Sequence, residues 1–162
     1  MKSEKFATAA MGADVHQVFL GLGANIGDRE QTILNAYRRI ERLIGTIRRQ
    51  SAFFYSQPWG FDSCNAFVNT VVMVETALSP LQVLHRTQLI ERQLGKRREH
   101  ASAKGGAEVV YHDRPIDIDI LLYDDLRLDT PKLIIPHPLR QERDFVMIPL
   151  REVLLTYADP EP

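Results

Sequence analysis

Residues 114–125 read RPIDIDILLYDD, and this stretch decides the fold that we predict for the chain. Its isoleucines and leucines are typical of a buried β-strand, which we place at residues 115–124. Because side chains alternate between the two faces of a strand, Asp117 and Asp119 project from the same face. Their Cβ atoms then lie roughly 6–7 Å apart, twice the rise per residue. Two like charges this close, among apolar neighbours, predict a positive partner nearby.

The other predicted elements follow outward from this strand. We predict strands at residues 17–23, 46–57 and 65–78, helices at 28–45 and 79–95, a short strand with turns within 126–145, and a final helix at 146–155. Asp28 and Ser79 are the N-cap residues of the first two helices. Gly45 and Gly95 end those helices. The β-α-β-β-α-β order predicts an α+β fold, with a ferredoxin-like antiparallel sheet and helices packed on one face of it.

The segment before the acidic strand has a different character. Residues 96–113, KRREHASAKGGAEVVYHD, show no steady hydrophobic period. We predict a long, mobile, basic loop here, of the kind that often closes over a functional site. We further predict that residues 1–16 form a flexible N-terminal tail and that residues 17–162 form a single domain.

The composition limits the classes of protein that fit. Apolar residues make up 44% of the 162 residues, and the formal net charge is −1. A charge so close to zero argues against a nucleic-acid partner or a membrane surface. No apolar run approaches the ~20 residues of a membrane span. The single cysteine, Cys64, excludes an internal disulfide and favours the reducing cytoplasm.

A glycine-rich turn joins the first strand to the first helix. Residues 21–28 read GLGANIGD, so the glycines follow G-x-G-x-x-x-G rather than the dinucleotide-binding spacing. The second strand also lacks the acidic residue that would hold a ribose. A tight strand-to-helix turn explains the glycines. Asn25 in this turn either orients a ligand or braces the loop.

Two interpretations of Asp117 and Asp119 remain open from the residues alone. Both acids belong either to the solvated face of an edge strand or to a site for a hard cation. Mg²⁺ takes oxygen ligands and keeps waters, so one or two carboxylates and a substrate polyphosphate complete its coordination. The nearby cations are Lys96, Arg97, Arg98, Lys104, Arg114, Lys132, His137, Arg140 and Arg143. Each alone is typical of a solvated surface, but their clustering around the acidic strand favours anion recognition.

Aromatic and amide side chains lie near predicted loops and strand ends. Trp59, Phe61, Phe67 and Phe145 are the rings, and Asn69 follows Phe67 on the same strand face. These rings either pack in the core or line a flat slot, in which the amide reads the edge of a heterocycle.

Seven motifs, in order, resemble those of the 6-hydroxymethyl-7,8-dihydropterin pyrophosphokinases of the folate pathway. The motifs are LGLGANIGD, FYSQPWGF, FVNTVVMVET, TQLIERQLGKRR, RPIDIDILLY, IIPHP and ERDFVMIPL, and they span about residues 17–150. The resemblance implies transfer of pyrophosphate from ATP to the hydroxymethyl oxygen of the pterin, with release of AMP. It also implies two Mg²⁺ ions, which Asp117 and Asp119 would hold as catalytic ligands.

The resemblance assigns further roles to residues of this chain. The pterin-binding residues that it implies are Asn25, Gln57, Pro58, Phe67, Asn69 and Phe145. The ATP-binding residues that it implies are Glu91, Lys96, Arg98, Tyr111, Arg114, Lys132, Ile134, His137 and Arg143. Arg98 and Arg114 also count as catalytic, since they belong to the loop that closes over the site and excludes water.

The chain departs from the family pattern around that loop. His112 and Asp113 replace a Gly-Pro-like pair before Arg114, so a negative charge adjoins an arginine that would bind phosphate. Tyr111 stands where a tryptophan is common, and the segment ASAKGGAE lengthens the loop. Lys96 and Lys132 replace arginines, and lysine lacks the bidentate fork of a guanidinium. Ile134 replaces a hydroxyl side chain on the adenine side.

Two other functions compete with the pyrophosphokinase. One is a non-catalytic ferredoxin-like module that binds a small ligand, because this fold hosts many functions. The other is a metal-dependent kinase that phosphorylates a different acceptor. For the pyrophosphokinase we expect a monomer whose partners are ATP and 6-hydroxymethyl-7,8-dihydropterin, without nucleic acid or membrane.

Overall fold

The computed structural model describes residues 14–56, 66–95, 115–138 and 143–158 of the chain. Seven strands are β1 His16–Ala24, β2 Gly45–Gln50, β3 Phe54–Ser56, β4 Phe67–Thr76, β5 Asp117–Tyr123, β6 Leu128–Asp129 and β7 Ile134–Ile135. Three helices are α1 Arg29–Leu43, α2 Pro80–Gln93 and α3 Asp144–Ala158. The predicted loop at residues 96–113 and most of the predicted tail lie outside the described residues and stay predictions.

The main sheet is antiparallel throughout. Its strands lie in the order β2-β4-β1-β5, and β3 also pairs with β4. The short strands β6 and β7 form a separate two-stranded sheet. The predicted α+β class is therefore confirmed. No helix in the described part of the chain is long and apolar enough to cross a membrane.

The helix starts agree with the sequence signals. Asp28 accepts a hydrogen bond from the backbone N–H of Gln31 at 3.2 Å, which caps α1. Ser79 and Gln82 cap α2 reciprocally, because each side chain accepts from the backbone N–H of the other residue. Both predicted N-caps are confirmed.

The two faces of the sheet carry separate apolar clusters. Helices α1 and α2 pack on one face, where Val18, Leu20 and Leu22 of β1 are buried. Helix α3 packs on the opposite face, which we call the α3 face, through Leu150 and Val153. The prediction that the helices cover one face only is wrong. The strands are apolar on both faces, so two helical layers are needed to bury them.

The predicted strand at residues 46–57 is interrupted. It forms β2 and β3, and the buried Ser51 lies between them. The backbone N–H of Ser51 donates to the backbone oxygen of Val71 in β4, and the N–H of Val71 donates to the Ser51 hydroxyl. A hydroxyl network surrounds this break, because Thr70 lies 3.0 Å from the Ser51 hydroxyl and 2.9 Å from the Tyr37 hydroxyl. Burial raises the pKa of Tyr37. The prediction of one continuous strand was therefore wrong, because the side chain of a buried serine forms a hydrogen bond with the backbone of β4 here.

Of the two glycines predicted to end helices, only Gly95 has that role. Gly95 has φ of +110°, the conformation expected where glycine follows a helix, so its predicted role is confirmed. Gly45 instead begins β2, and Ile44 caps α1. A Cβ at Gly45 would lie 2.0 Å from the backbone oxygen of Glu75, so the close approach of β2 to β4 requires glycine.

Gly45→Ala should lower the free energy of unfolding by at least about 2 kcal/mol, because the added Cβ collides with backbone rather than with a movable side chain. Gly21→Ala is the matched control within a strand. Its Cβ would meet only the end of Leu121 at 3.3 Å, and the expected loss is about 1 kcal/mol or less. Urea denaturation of both variants measures the difference. Equal losses would contradict this account of Gly45.

Candidate active site

A row of paired residues crosses three strands on the α3 face. Gly23 of β1 pairs with Asn69 of β4 on one side and with Asp117 of β5 on the other. Neighbouring strands lie about 4.8 Å apart, so the Cα atoms of Asn69 and Asp117 are separated by two such spacings. In the next row of this face, Gly21 pairs with Val71 and Asp119. Because Gly21 and Gly23 have no side chains, β1 places no side chain between Asn69 and the two aspartates on this face.

Asp117 and Asp119 project together from this face. Ile116, Ile118 and Ile120 are buried on the other side of β5, whereas both acids are half-buried, as the alternation predicts. Nothing in this geometry places the two carboxylates on opposite sides of the sheet. They therefore form an acidic pair at the edge strand of the main sheet.

His137 lies beside the acidic pair. Its backbone N–H donates to the backbone oxygen of Leu121 at 3.0 Å, which fixes the segment after β7 against β5. Its Nε2 lies 3.9 Å from Oδ2 of Asp119. The protonated ring would therefore form a weak ion pair with the acid. A cis peptide bond joins Ile135 to Pro136 just before it.

Glu91 attaches α2 to the strand between the two acids. Its Oε2 accepts a hydrogen bond of 2.7 Å from the backbone N–H of Ile118, and the residue is buried. Because β5 is an edge strand, this N–H faces no neighbouring strand, and the carboxylate supplies the acceptor. Glu91 thus fixes the backbone that carries Asp117 and Asp119.

Asn69 has an unsatisfied acceptor. The residue is buried, and its Nδ2 reaches the backbone oxygen of Leu22 only at 3.5 Å. Its Oδ1 is buried without a hydrogen-bond partner among the described residues. A buried acceptor left in this state costs free energy, so the arrangement favours a ligand that offers an N–H group. Phe67 is half-buried two residues earlier on the same face.

Gly23 allows this amide to lie where it does. A Cβ at Gly23 would stand 2.6 Å from Nδ2 of Asn69. The amide therefore occupies the space that any other side chain at position 23 would take. The sequence alone does not indicate this role, because the register between β1 and β4 brings the two residues together.

The other predicted site residues lie in the turn after β1, at the start of α3 and in the small sheet, or outside the described part of the chain. Asn25 is fully buried in the turn after β1. The guanidinium of Arg143 lies 5.5 Å from the ring centroid of Phe145, at the start of α3. Lys132 and Ile134 are exposed in the small sheet and its turn. The predicted residues outside the described part of the chain are Gln57, Pro58, Trp59, Phe61, Lys96, Arg97, Arg98, Lys104, Tyr111, Arg114 and Arg140.

The acidic pair suits a particular kind of cation. Over residues 14–56, 66–95, 115–138 and 143–158, no three or more His, Cys, Asp or Glu side chains cluster as metal ligands. Zn²⁺ in a structural site needs four protein ligands. Mg²⁺ is bound through one or two carboxylates together with substrate phosphates and waters. Two adjacent, half-exposed carboxylates therefore fit Mg²⁺ in the presence of a polyphosphate.

The fold and this site define an α+β protein with an acidic pair and a buried amide on one face of an antiparallel sheet. The model of the 7,8-dihydro-6-hydroxymethylpterin-pyrophosphokinase (HPPK) family matches residues 19–155. The chain belongs to this family.

Relatives with known names support that membership. A 2-amino-4-hydroxy-6-hydroxymethyldihydropteridine pyrophosphokinase from Porphyromonas gingivalis is 43% identical over 137 residues, which cover 84% of this chain and 89% of the relative. A protein of the same name from Aquifex aeolicus is 36% identical over 136 residues, covering 84% of this chain and 79% of the relative.

Solved structures share the fold. A crystal structure of HPPK-DHPS in complex with substrates has a TM-score of 0.68 at 14% identity, covering 88% of this chain and 40% of that chain. The wild-type HPPK-DHPS of Plasmodium falciparum with SDX-DHP has a TM-score of 0.62 at 16% identity, covering 85% and 40%. This chain thus spans about 40% of those longer proteins.

Glu91→Leu should lower the free energy of unfolding by about 1–3 kcal/mol, because it leaves the N–H of Ile118 without its acceptor. Glu91→Gln keeps a carbonyl oxygen at the same position, so its free energy of unfolding should fall by clearly less. Chemical denaturation of the two variants tests this. If leucine and glutamine cost the same, the backbone hydrogen bond does not contribute to stability.

Proposed function

We propose that this chain transfers pyrophosphate from ATP to the hydroxymethyl oxygen of 6-hydroxymethyl-7,8-dihydropterin, with release of AMP, in folate biosynthesis. One observation carries the proposal beyond family membership. The row of Asn69, Gly23 and Asp117 joins a buried, unsatisfied amide oxygen to an acidic pair across two strand spacings. In this proposal a flat heterocycle binds beside the amide, and a polyphosphate binds beside the acids.

The amide end of the row binds the pterin. A pterin ring carries an amino group and a ring N–H along one edge, and these donors match Oδ1 of Asn69. Phe67 and Phe145 stack on the ring, as aromatic side chains do in apolar slots. Asn25, Gln57 and Pro58 complete this pocket on the basis of the family resemblance.

The acidic end of the row binds the metal and the nucleotide. Asp117 and Asp119 would hold two Mg²⁺ ions, and the bound metal would neutralise the charge on the phosphates of ATP. The electrostatic reason is that two adjacent carboxylates otherwise repel the polyphosphate. The ATP-binding residues in this proposal are Glu91, Lys96, Arg98, Tyr111, Arg114, Lys132, Ile134, His137 and Arg143.

The reaction needs positioning more than covalent chemistry. The hydroxymethyl oxygen attacks the β-phosphorus, the bond to the α-phosphate oxygen breaks, and AMP leaves. Asn69 and the stacked rings hold the acceptor, and the acidic strand fixes the phosphates in line with it. Arg98 and Arg114 stabilise the developing charge and exclude water, which otherwise competes as an acceptor. No covalent enzyme intermediate is required.

Several finer features belong to the same proposal. The strand order β2-β4-β1-β5, antiparallel throughout, supports a ferredoxin-like arrangement. The single cysteine supports a reducing compartment, and we propose that the chain acts in the cytoplasm as a monomer.

The product of the reaction tests the proposal. Incubation with ATP, Mg²⁺ and the hydroxymethyl-dihydropterin should yield AMP and the pterin diphosphate. Formation of ADP instead would indicate phosphoryl transfer to the same oxygen and contradict the proposal. Absence of nucleotide turnover and of pterin binding by calorimetry would favour a non-catalytic binding module.

Asp117→Asn and Asp119→Asn should each lower kcat by about 10²–10³-fold or more, because each removes an anionic ligand that would hold the metal against the phosphates. Asp125→Asn is the control, since this acid is exposed in the turn after β5. Steady-state kinetics at saturating ATP and thermal unfolding of all three variants are the measurements. Full activity in both strand variants, with the fold intact, would remove the acidic pair from the mechanism.

Gly23→Ala should weaken pterin binding by about tenfold. The new Cβ would lie 2.6 Å from Nδ2 of Asn69, which is too close, so the amide must move away. Gly21→Ala adds the same methyl group two residues earlier, where the three nearest atoms all belong to the Leu121 side chain, and should leave the pterin Kd within about twofold. Calorimetric titration with a pterin measures both. Unchanged affinity in Gly23→Ala would show that the amide does not contact the ring.

A further inference from the structure

Two side chains of the first turn of α1 contact the start of β4, which carries Phe67 and Asn69, and β3, which pairs with β4. Arg29 donates from Nη1 to the backbone oxygen of Ala66 at 2.7 Å, and Ala66 directly precedes β4. Glu30 accepts at Oε2 a hydrogen bond of 2.9 Å from the hydroxyl of Tyr55 in β3. We call these two contacts the α1 clamp. Neither was singled out by the sequence, because both depend on the tertiary position of α1.

The strand that Tyr55 belongs to is short and lies directly against the candidate site. β3 has three residues, and within the described part of the chain β4 is the strand it pairs with. Its pairs are Phe54 with Asn69 and Ser56 with Phe67, so the position of β3 sets the backbone around both site residues. A three-residue strand at an edge has few hydrogen bonds of its own. The bond from Tyr55 to Glu30 therefore adds a constraint where the sheet is weakest.

The charge of Arg29 also points to a tertiary role. A cation in the first turn of a helix faces the positive end of the helix dipole, which disfavours it. The position becomes favourable when the guanidinium has an acceptor elsewhere, as the partly buried bond to Ala66 provides. Helix formation alone therefore does not account for an arginine at this site.

The Glu30–Tyr55 contact persists over a wide pH range. The hydrogen bond from Tyr55 lowers the pKa of the Glu30 carboxyl, and the same bond raises the pKa of Tyr55. The carboxylate and the phenol are thus both in their bonding forms at neutral pH. Both partners are solvent-accessible, so the contact acts through geometry rather than through burial.

We propose that Arg29 and the Glu30–Tyr55 pair are positioning residues that hold the start of β4 and the edge strand β3 in the arrangement that binds the pterin. This inference rests on the proposed function and adds residues that touch neither substrate. Arg29 fixes the carbonyl next to Phe67, and Tyr55 fixes the strand next to Asn69. Loss of the clamp should therefore weaken pterin binding and leave nucleotide binding unchanged.

The test compares three arginine variants. Arg29→Met removes the donor and keeps an unbranched apolar side chain of similar length to the arginine stem, and Arg29→Lys keeps a donor. Arg38→Met is the matched control, because Arg38 lies on the same helix and bonds only to Asn35 there. Calorimetry measures the Kd of a 6-hydroxymethylpterin and of a non-hydrolysable ATP analogue with Mg²⁺ for each variant, and thermal unfolding gives the Tm.

Arg29→Met should raise the pterin Kd about tenfold and change the nucleotide Kd by less than about twofold. Arg29→Lys should recover part of the affinity, and Arg38→Met should behave as the wild-type chain. Tyr55→Phe should shift the pterin Kd in the same direction, and it removes only one hydroxyl from an exposed residue.

Two outcomes would overturn the clamp. The first is an unchanged pterin Kd in both Arg29→Met and Tyr55→Phe. The second is an equal loss of pterin and nucleotide affinity together with a lower Tm, which indicates a general structural role. Failure of the proposed function is a separate result, because the wild-type chain would then bind no pterin.

Discussion

Gly23 lies between Asn69 and Asp117 in the sheet, and the candidate site depends on this register. A slip of one residue between β1 and β5 would turn both acids toward the buried face. A side chain at position 23 would instead displace the amide of Asn69. The register therefore fixes which chemical groups meet on the α3 face, and the glycine determines how closely they approach.

The rest of the fold keeps that register in place. β1 is an interior strand, paired on both sides, and its alternate residues are buried beneath α1 and α2 on one face and beside α3 on the other. Apolar burial on both faces makes a slipped sheet expensive, since each slip would expose core residues. The edge strand β5 is held by Glu91 from α2, and the far side of the site is held by the α1 clamp. Side chains of α1 and α2 thus contact the strands that carry the site.

Local sequence patterns predicted the elements that short-range chemistry determines. The alternation of RPIDIDILLY gave β5 and the shared face of its two acids, and the capping residues Asp28 and Ser79 gave the starts of the helices. Features that depend on long-range pairing were missed. The break at Ser51, the packing of α3 on the second face and the contact of Gly23 with Asn69 each involve residues far apart in the sequence. Periodicity records which residues are buried, but it does not record which strand lies beside them.

We propose that Asp117 and Asp119 bind divalent metal together with the polyphosphate of a nucleotide. The most direct measurement is a titration with Mn²⁺, a paramagnetic substitute for Mg²⁺, followed by electron paramagnetic resonance with and without a non-hydrolysable ATP analogue. The account predicts two Mn²⁺ ions bound per chain when the analogue is present, weak binding without it, and loss of both ions in the double variant Asp117→Asn, Asp119→Asn. Equal Mn²⁺ binding by the wild-type chain and the double variant, in the presence of the analogue, would contradict it.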